Sequence, residues 1–130
     1  MIVDTSVFVA MALGEAASEI FRPVIRSTPY AISAGTLLET EIVLRSRRGE
    51  QALTELRRML ANTSSEVVPF DERQAGIASS AYSLYGRGSD HPAKLNYGDC
   101  FSYALAIARD EPLLFKGDDF IHTDVRVAAP

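Results

Sequence analysis

Short apolar runs alternate with longer, helix-like segments along the chain, and this alternation constrains the fold more than any other feature. Strands are predicted at residues 1–4, 30–33, 66–69 and 113–116, with a weaker one at 125–127. Helices are predicted at residues 6–13, 15–26, 34–48, 51–61, 72–85 and 99–109. Such alternation is typical of a mostly parallel sheet covered by helices. We therefore expect an α/β fold.

Size and composition predict one compact domain that spans residues 1–130. The chain has 130 residues, of which 47% are hydrophobic, enough for a core of its own. Its longest apolar run, residues 7–13, is too short to cross a bilayer. No basic region precedes the first apolar run, so we expect no secretory signal. The single cysteine, Cys100, cannot form an internal disulfide, which favours a cytoplasmic location.

Acidic residues stand where the predicted elements begin or end. Asp4 ends the first strand, Asp99 begins the last helix, and Asp118 and Asp119 follow the 113–116 strand. Open α/β sheets build their sites at the ends of their strands, although such positions also suit helix caps and turns. Carboxylates gathered there repel one another unless a hard cation such as Mg²⁺ or Mn²⁺ neutralises them. We therefore predict a metal-dependent phosphodiesterase whose metal is held by Asp4 and Asp99.

The remaining members of the site are less certain from the residues alone. Glu41 lies on the apolar face of the third helix, whereas Glu39 lies nearer its N-terminus, so both stay candidates. Adjacent acids in an extended segment point in opposite directions, so one of Asp118 and Asp119 should face the metal. The hydroxyls of Thr5 and Ser6, next to Asp4, are expected to position a water or a phosphate oxygen.

The net charge of −4 weakens a nucleic-acid interpretation, because nucleic-acid-binding proteins are usually basic. If four acids bind a cation, however, the remaining charges balance, and the metal adds local positive charge. Arg45, Arg47 and Arg48 form a cluster that we interpret mainly as a solvated helix face. The acidic balance therefore does not exclude an RNA substrate.

Several segments together resemble the VapC toxins, which are PIN-domain ribonucleases of bacterial toxin–antitoxin pairs. The segments are MIVDTS at residues 1–6, SAGTLLE at 33–39, LNYGDC at 95–100, LLFKGDDF at 113–120 and Thr123-Asp124. The match runs nearly end to end. It implies a three-layer α/β/α arrangement with a roughly five-stranded parallel sheet.

The resemblance also implies a function and a site. It implies a Mg²⁺-dependent endoribonuclease that forms a homodimer and is inhibited by a VapB antitoxin, whose C-terminal tail occupies the acidic groove. The family's first acid matches Asp4, its helix glutamate matches Glu39 rather than Glu41, and its third acid matches Asp99. Its fourth acid is assigned to Asp119, with Asp118 kept as the alternative.

Two other functions are alternatives to this one. A PIN-like protein could act without catalysis, as an antitoxin-binding regulatory partner, although the full set of acids argues against that. A metal-dependent phosphatase of the haloacid-dehalogenase type would need a second aspartate two positions after Asp4, where this chain has Ser6. The ribonuclease is therefore the favoured hypothesis.

Overall fold

The computed structural model describes residues 1–129 and contains, within them, one parallel sheet of four strands. The strands are β1 (Ile2–Val3), β2 (Tyr30–Ser33), β3 (Ser65–Val68) and β4 (Leu113–Leu114), in the spatial order β3-β2-β1-β4. All three pairings are parallel. The predicted domain of residues 1–130 extends one residue beyond the described part and stays a prediction.

Six α-helices connect and cover the strands. They are α1 (Thr5–Leu13), α2 (Ser18–Ser27), α3 (Ala34–Arg48), α4 (Glu50–Ala61), α5 (Glu72–Tyr85) and α6 (Asp99–Arg109), followed by a 3₁₀ turn at Phe120–His122. The bounds of α3, α5 and α6 agree with the sequence prediction. Helix α2 begins later than predicted, because Gly14 adopts a left-handed conformation and ends α1 before a turn. Across residues 1–129, no helix is both long and apolar enough to span a membrane.

The predicted fifth strand at residues 125–127 is reduced to a single bridge between Leu113 and Val127. The Leu113 N–H donates to the Arg126 carbonyl over 2.8 Å, and the Leu113 carbonyl accepts from the Ala128 N–H over 2.9 Å. Strand β4 is only two residues long, so the pairing between it and residues 125–127 does not extend beyond this one bridge. The sheet thus has four strands in the described residues, close to the expected five.

Side-chain alternation along the buried strands creates a helical layer on each side of the sheet. Ile2 and Leu113 pack into a cluster that includes Leu105 of α6, whereas Val3 and Leu114 pack into a second cluster that includes Phe8 of α1. The second cluster continues into α2, α3 and α4. Neighbouring residues of a strand point to opposite faces, so both faces are covered by apolar side chains. The predicted three-layer α/β/α arrangement is confirmed.

The strand ends determine where polar groups can gather. Strand β1 runs directly into α1 through Asp4, and β2 runs directly into α3 through Ser33. The chain after β4 is tied to this edge, because the Lys116 N–H donates to the Ser6 hydroxyl over 2.9 Å. Helix α6 contacts both β1 and β2. Helices α1 and α3 therefore start at the same edge of the parallel sheet, and α6 packs against the same two strands.

Candidate active site

Asp4 caps α1 and at the same time belongs to the acidic site. Its Oδ2 accepts the Ser6 N–H over 2.9 Å, which is the N-cap hydrogen bond of α1. Its Oδ1 accepts the hydroxyl of Ser102, on α6, over 2.7 Å. The residue is only 4% exposed. Both carboxylate oxygens are therefore oriented by the protein, and each keeps a second lone pair.

Glu39 is held between α1 and the segment before α6. The Thr5 hydroxyl donates to Glu39 Oε2 over 2.7 Å. On the other side, a Cβ placed on Gly98 would lie 2.0 Å from Glu39 Oε1, so only glycine leaves room for the carboxylate there. Burial raises the pKa of Glu39, the Thr5 hydrogen bond lowers it, and the charge of Asp4 raises it further.

Glu41, the alternative on the same helix, points elsewhere. It forms an ion pair with Arg57 of α4, at 3.2 Å between the closest atoms. The helical-wheel prediction of an inward Glu41 is therefore wrong. The buried face of α3 consists of Thr36, Thr40 and Leu44, while the apolar Leu38 and Ile42 are 61% and 54% exposed.

Asp99 begins α6 and shares a reciprocal pair of hydrogen bonds with Asn96. Asp99 Oδ2 accepts the Asn96 N–H over 2.7 Å, and Asn96 Oδ1 accepts the Asp99 N–H over 2.9 Å. Burial raises the pKa of Asp99 to about 7, and the Asn96 hydrogen bond opposes that rise. The charges of Asp4, Asp119 and Glu39 raise the pKa further. Asp99 is therefore electrostatically coupled to the other three acids.

The charge of Asp119 raises the pKa of Asp99, whereas the charge of Asp118 does not contribute to that rise. Both side chains are exposed after β4. Asp119 stands immediately before the 3₁₀ turn, and its side chain makes no cap hydrogen bond there. The effect of the Asp119 charge on Asp99 therefore favours Asp119 over Asp118 as the fourth acid of the group.

The four acids fit a divalent cation by chemistry, but three of them, Asp4, Glu39 and Asp99, accept hydrogen bonds from protein donors in this structure. Within residues 1–129, no three His, Cys, Asp or Glu side chains are arranged as ligands of one ion. Asp4 faces Ser6 and Ser102, while Asp99 faces Asn96. Yet the donors are carboxylate oxygens, which hard cations prefer, and their mutual repulsion is what a cation would relieve. Metal ligation by Asp4 and Asp99 stays a prediction.

Buried hydroxyls behind the acids were missed by the sequence reasoning. Ser102 gives its only hydroxyl proton to Asp4, so the 3.0 Å contact with Thr36 Oγ1 is a hydrogen bond donated by Thr36. Thr40 donates to the Thr36 carbonyl over 2.8 Å and lies 3.2 Å from Thr5 Oγ1. Thr36, Thr40 and Ser102 are all 0% exposed. One signal was available, because Ser102 follows Asp99 by three positions and therefore shares its helix face.

Thr5 and Ser6, predicted to position substrate, make hydrogen bonds within the protein. Thr5 donates to Glu39, and the Ser6 hydroxyl accepts the Lys116 N–H. Both residues therefore connect α1 to another part of the site. Contact with a substrate stays a prediction for each.

The pKa of Asp99 makes the stability of the metal-free protein depend on pH. An aspartate in the unfolded chain titrates near 3.9, whereas folded Asp99 titrates at about 7, so the folded state binds more protons between these values. The free energy of unfolding should therefore fall as pH rises from about 4 to about 7, by at most roughly 4 kcal/mol from this group. Asp99→Asn should flatten that fall. Urea unfolding with EDTA at several pH values would test this, and parallel curves for both proteins would contradict it.

The hydrogen bond from Ser102 to Asp4 should strengthen cation binding. Ser102→Ala leaves Asp4 Oδ1 without its orienting donor, and losing such a partner typically lowers metal affinity roughly 10- to 100-fold. Mn²⁺ titration by calorimetry would measure the change. Ser18→Ala is the matched control, because Ser18 is also buried, at 2% exposed, but lies on α2 outside the acidic group. Equal Mn²⁺ affinity in the two variants would rule out this role for Ser102.

Comparison with known proteins agrees with the architecture. The model of the PIN domain matches residues 1–126. Ribonuclease VapC42 of Mycobacterium tuberculosis is 43% identical over 129 residues, which cover 98% of each chain.

The crystal structure of Mycobacterium tuberculosis VapC20, a sarcin–ricin loop cleaving toxin, has a TM-score of 0.80 at 19% identity and covers 99% of this chain and 98% of that one. A toxin–antitoxin complex from Klebsiella pneumoniae has a TM-score of 0.69 at 18% identity, covering 98% and 95%. These two structures share the fold, and the sequence match shows that this chain belongs to the PIN domain family, among the VapC proteins.

Proposed function

We propose that this protein is a metal-dependent endoribonuclease that hydrolyses RNA phosphodiester bonds and serves as the toxin of a VapBC-type pair. The observation that carries the proposal is the convergence of acids at one edge of a PIN-fold sheet: Asp4 is hydrogen-bonded to α6 through Ser102, and Glu39 lies against Gly98, the residue before Asp99. A relative that matches 98% of the chain is named a ribonuclease, which supports the same activity. The site residues assigned from the sequence are therefore the proposed catalytic group.

Nucleases of this family generally depend on a divalent metal. For this chain we propose Mg²⁺ or Mn²⁺, held by Asp4 and Asp99. When bound, the cation supplies an activated water and neutralises charge on the phosphate. Asp4 suits this task because the Ser6 N–H and the Ser102 hydroxyl fix both of its oxygens before any ion binds.

Glu39 is the proposed proton acceptor for the attacking water. Thr5 occupies Oε2, which leaves Oε1 to accept a hydrogen bond from that water. Its raised pKa moves it toward the working pH, which favours proton transfer in both directions. Asp119 is exposed and is proposed to hold water on the open side of the site, with Asp118 as the alternative. Thr5 and Ser6 are proposed to position a water or a phosphate oxygen of the substrate, and their hydrogen bonds also hold Glu39 and the chain after β4.

The proposed partners are a VapB-type antitoxin and a second copy of the chain, in the cytoplasm. A solved toxin–antitoxin complex with the same fold supports the antitoxin. A cavity of about 620 Å³ lies between α1, α2 and α4; it combines the apolar Phe8 and Leu56 with the exposed arginines Arg26 and Arg58. These features suit an antitoxin segment with apolar and acidic side chains. Self-association is supported by the exposed Leu38 and Ile42, which lie one turn apart on α3.

Loss of any central acid should abolish RNA cleavage. Asp4→Asn, Asp99→Asn and Glu39→Gln remove one charge each, and removal of such a group typically lowers the rate about 10²- to 10⁴-fold. Cleavage of cellular RNA with Mg²⁺ or Mn²⁺, followed by sequencing of the new 5′ ends, would measure this. Glu41→Gln is the control on the same helix and should retain activity. An inactive wild-type protein, or equal activity in all variants, would reject the proposal.

Gly98→Ala should reduce activity without unfolding the protein. Gly98 has ordinary helical angles, φ −65° and ψ −40°, so alanine fits the backbone, but its Cβ would displace the Glu39 carboxylate. We expect at least a roughly tenfold loss of activity and a change below about 1 kcal/mol in the free energy of unfolding. Gly76→Ala on α5 is the control, because a Cβ there meets nothing within 4 Å. Full activity of Gly98→Ala would show that Glu39 needs no fixed position.

A further inference from the structure

Tyr97 presents a large aromatic ring to solvent beside the acidic site. It is 78% exposed, more than any other large hydrophobic side chain among residues 1–129. Its chain neighbours both serve the acids, since the Asn96 N–H binds Asp99 and Gly98 makes room for Glu39. None of the hydrogen bonds that build the site needs the Tyr97 side chain. The ring therefore calls for a separate explanation.

A row of aromatic rings supports Tyr97 from below. The centroid of Tyr97 lies 5.1 Å from that of Phe101, with 87° between the ring planes, and Phe101 lies 4.7 Å from Phe70 at 75°. The Phe101 ring in turn packs against Gly35 at the start of α3, where a Cβ would come within 2.3 Å of it. Tyr97 is thus the outer end of an ordered aromatic row, and its ring is held in place while most of its surface stays in water.

At least one face of the Tyr97 ring is available for stacking. In an edge-to-face pair, one ring contributes its edge and the other contributes one face. Whichever part Tyr97 uses toward Phe101, a second face remains, and the 78% exposure places that face in solvent. Nucleobases stack on such faces in proteins that bind single-stranded RNA, and the stacking tolerates any base.

The chain itself keeps this ring close to the reacting groups. Two residues of extended chain span at most about 7 Å, so the Cα atoms of Tyr97 and Asp99 lie within that distance. Between them, Gly98 contacts the Glu39 carboxylate. A base stacked on Tyr97 would therefore belong to a nucleotide next to the phosphate that the water attacks at the acidic site.

We propose that Tyr97 is the stacking platform for an unpaired base beside the scissile phosphodiester, an inference that rests on the ribonuclease activity proposed above. A base inside a duplex has no free face to offer, so the cut must lie in a loop, a bulge or another single-stranded segment. Tyr97 acts on substrate binding and leaves the carboxylate chemistry unchanged.

Kinetics of Tyr97 variants on a cleaved RNA oligonucleotide would test the platform. Tyr97→Ala should raise KM roughly 5- to 150-fold while kcat stays within about threefold, because stacking contributes binding energy without touching the reacting atoms. Tyr97→Phe keeps the ring and should behave as wild type. Tyr82→Ala, at an exposed tyrosine of α5, is the control and should leave both constants unchanged.

Abasic substrates would locate the stacked base. Among substrates that each lack one base near the cut, one should show a raised KM with the wild-type protein. The same abasic substrate should not raise the KM of Tyr97→Ala any further. If removing a base raised KM equally in the wild-type protein and in Tyr97→Ala at every position, the proposed stacking role of Tyr97 would be wrong. Loss of the dimer in solution on Tyr97→Ala substitution would also contradict the proposal, because the ring would then belong to an interface between two copies of the chain. Failure of the ribonuclease proposal is distinguishable, since the wild-type protein would then cleave no RNA.

Discussion

Repulsion among four carboxylates at one edge of the sheet is the constraint on which the rest of the site depends. Parallel strands deliver their ends to the same place, and this chain puts Asp4 there, with the charges of Asp4, Glu39 and Asp119 all acting on Asp99. Burial makes the repulsion stronger than it would be in water. The surroundings of these acids differ. Asp4 accepts two hydrogen bonds, whereas the pKa of Asp99 is raised to about 7. A divalent cation would find Asp4 already oriented and would compete with a proton for Asp99.

Helix α3 supplies most of the scaffolding that makes this arrangement possible. Thr36 and Thr40 lie on its buried face and Glu39 lies beside them, so one helix carries both an acid and the hydroxyls behind the site. Thr36 acts on Asp4 through Ser102, and Thr5 acts on Glu39 directly. Buried hydroxyls of this kind cost free energy unless they are hydrogen-bonded, so the network is held together as a unit. The orientation of the acids is therefore coupled to the packing of α1, α3 and α6.

The sequence predicted what local patterns determine. Helices α3, α5 and α6 have clear start signals, such as Asp71, whose side chain caps α5 by accepting the Gln74 N–H over 2.8 Å. The strand at 125–127 was overpredicted, because propensity does not reveal that its neighbour β4 offers only two residues. Glu41 misled the helical wheel because the buried face of α3 is largely threonine, and apolar periodicity assigns threonine no weight. Ser102 was missed although it shares a helix face with Asp99, because its role arises from Asp4, 98 positions away in the chain.

The segment before α6 shows how one stretch of backbone can serve both chemistry and recognition. Ala93 and Leu95 are fully buried, and Leu95 exchanges backbone hydrogen bonds with Tyr85 and Arg87 over 2.8 and 3.0 Å. This anchoring fixes the segment immediately ahead of the acids, so Asn96 and Gly98 are held in register with Asp99 and Glu39. Tyr97 lies between them, with its ring exposed to solvent and in edge-to-face contact with Phe101. The backbone that positions the acids therefore also holds an exposed ring beside them, and this position is what favours a stacked nucleotide as its occupant.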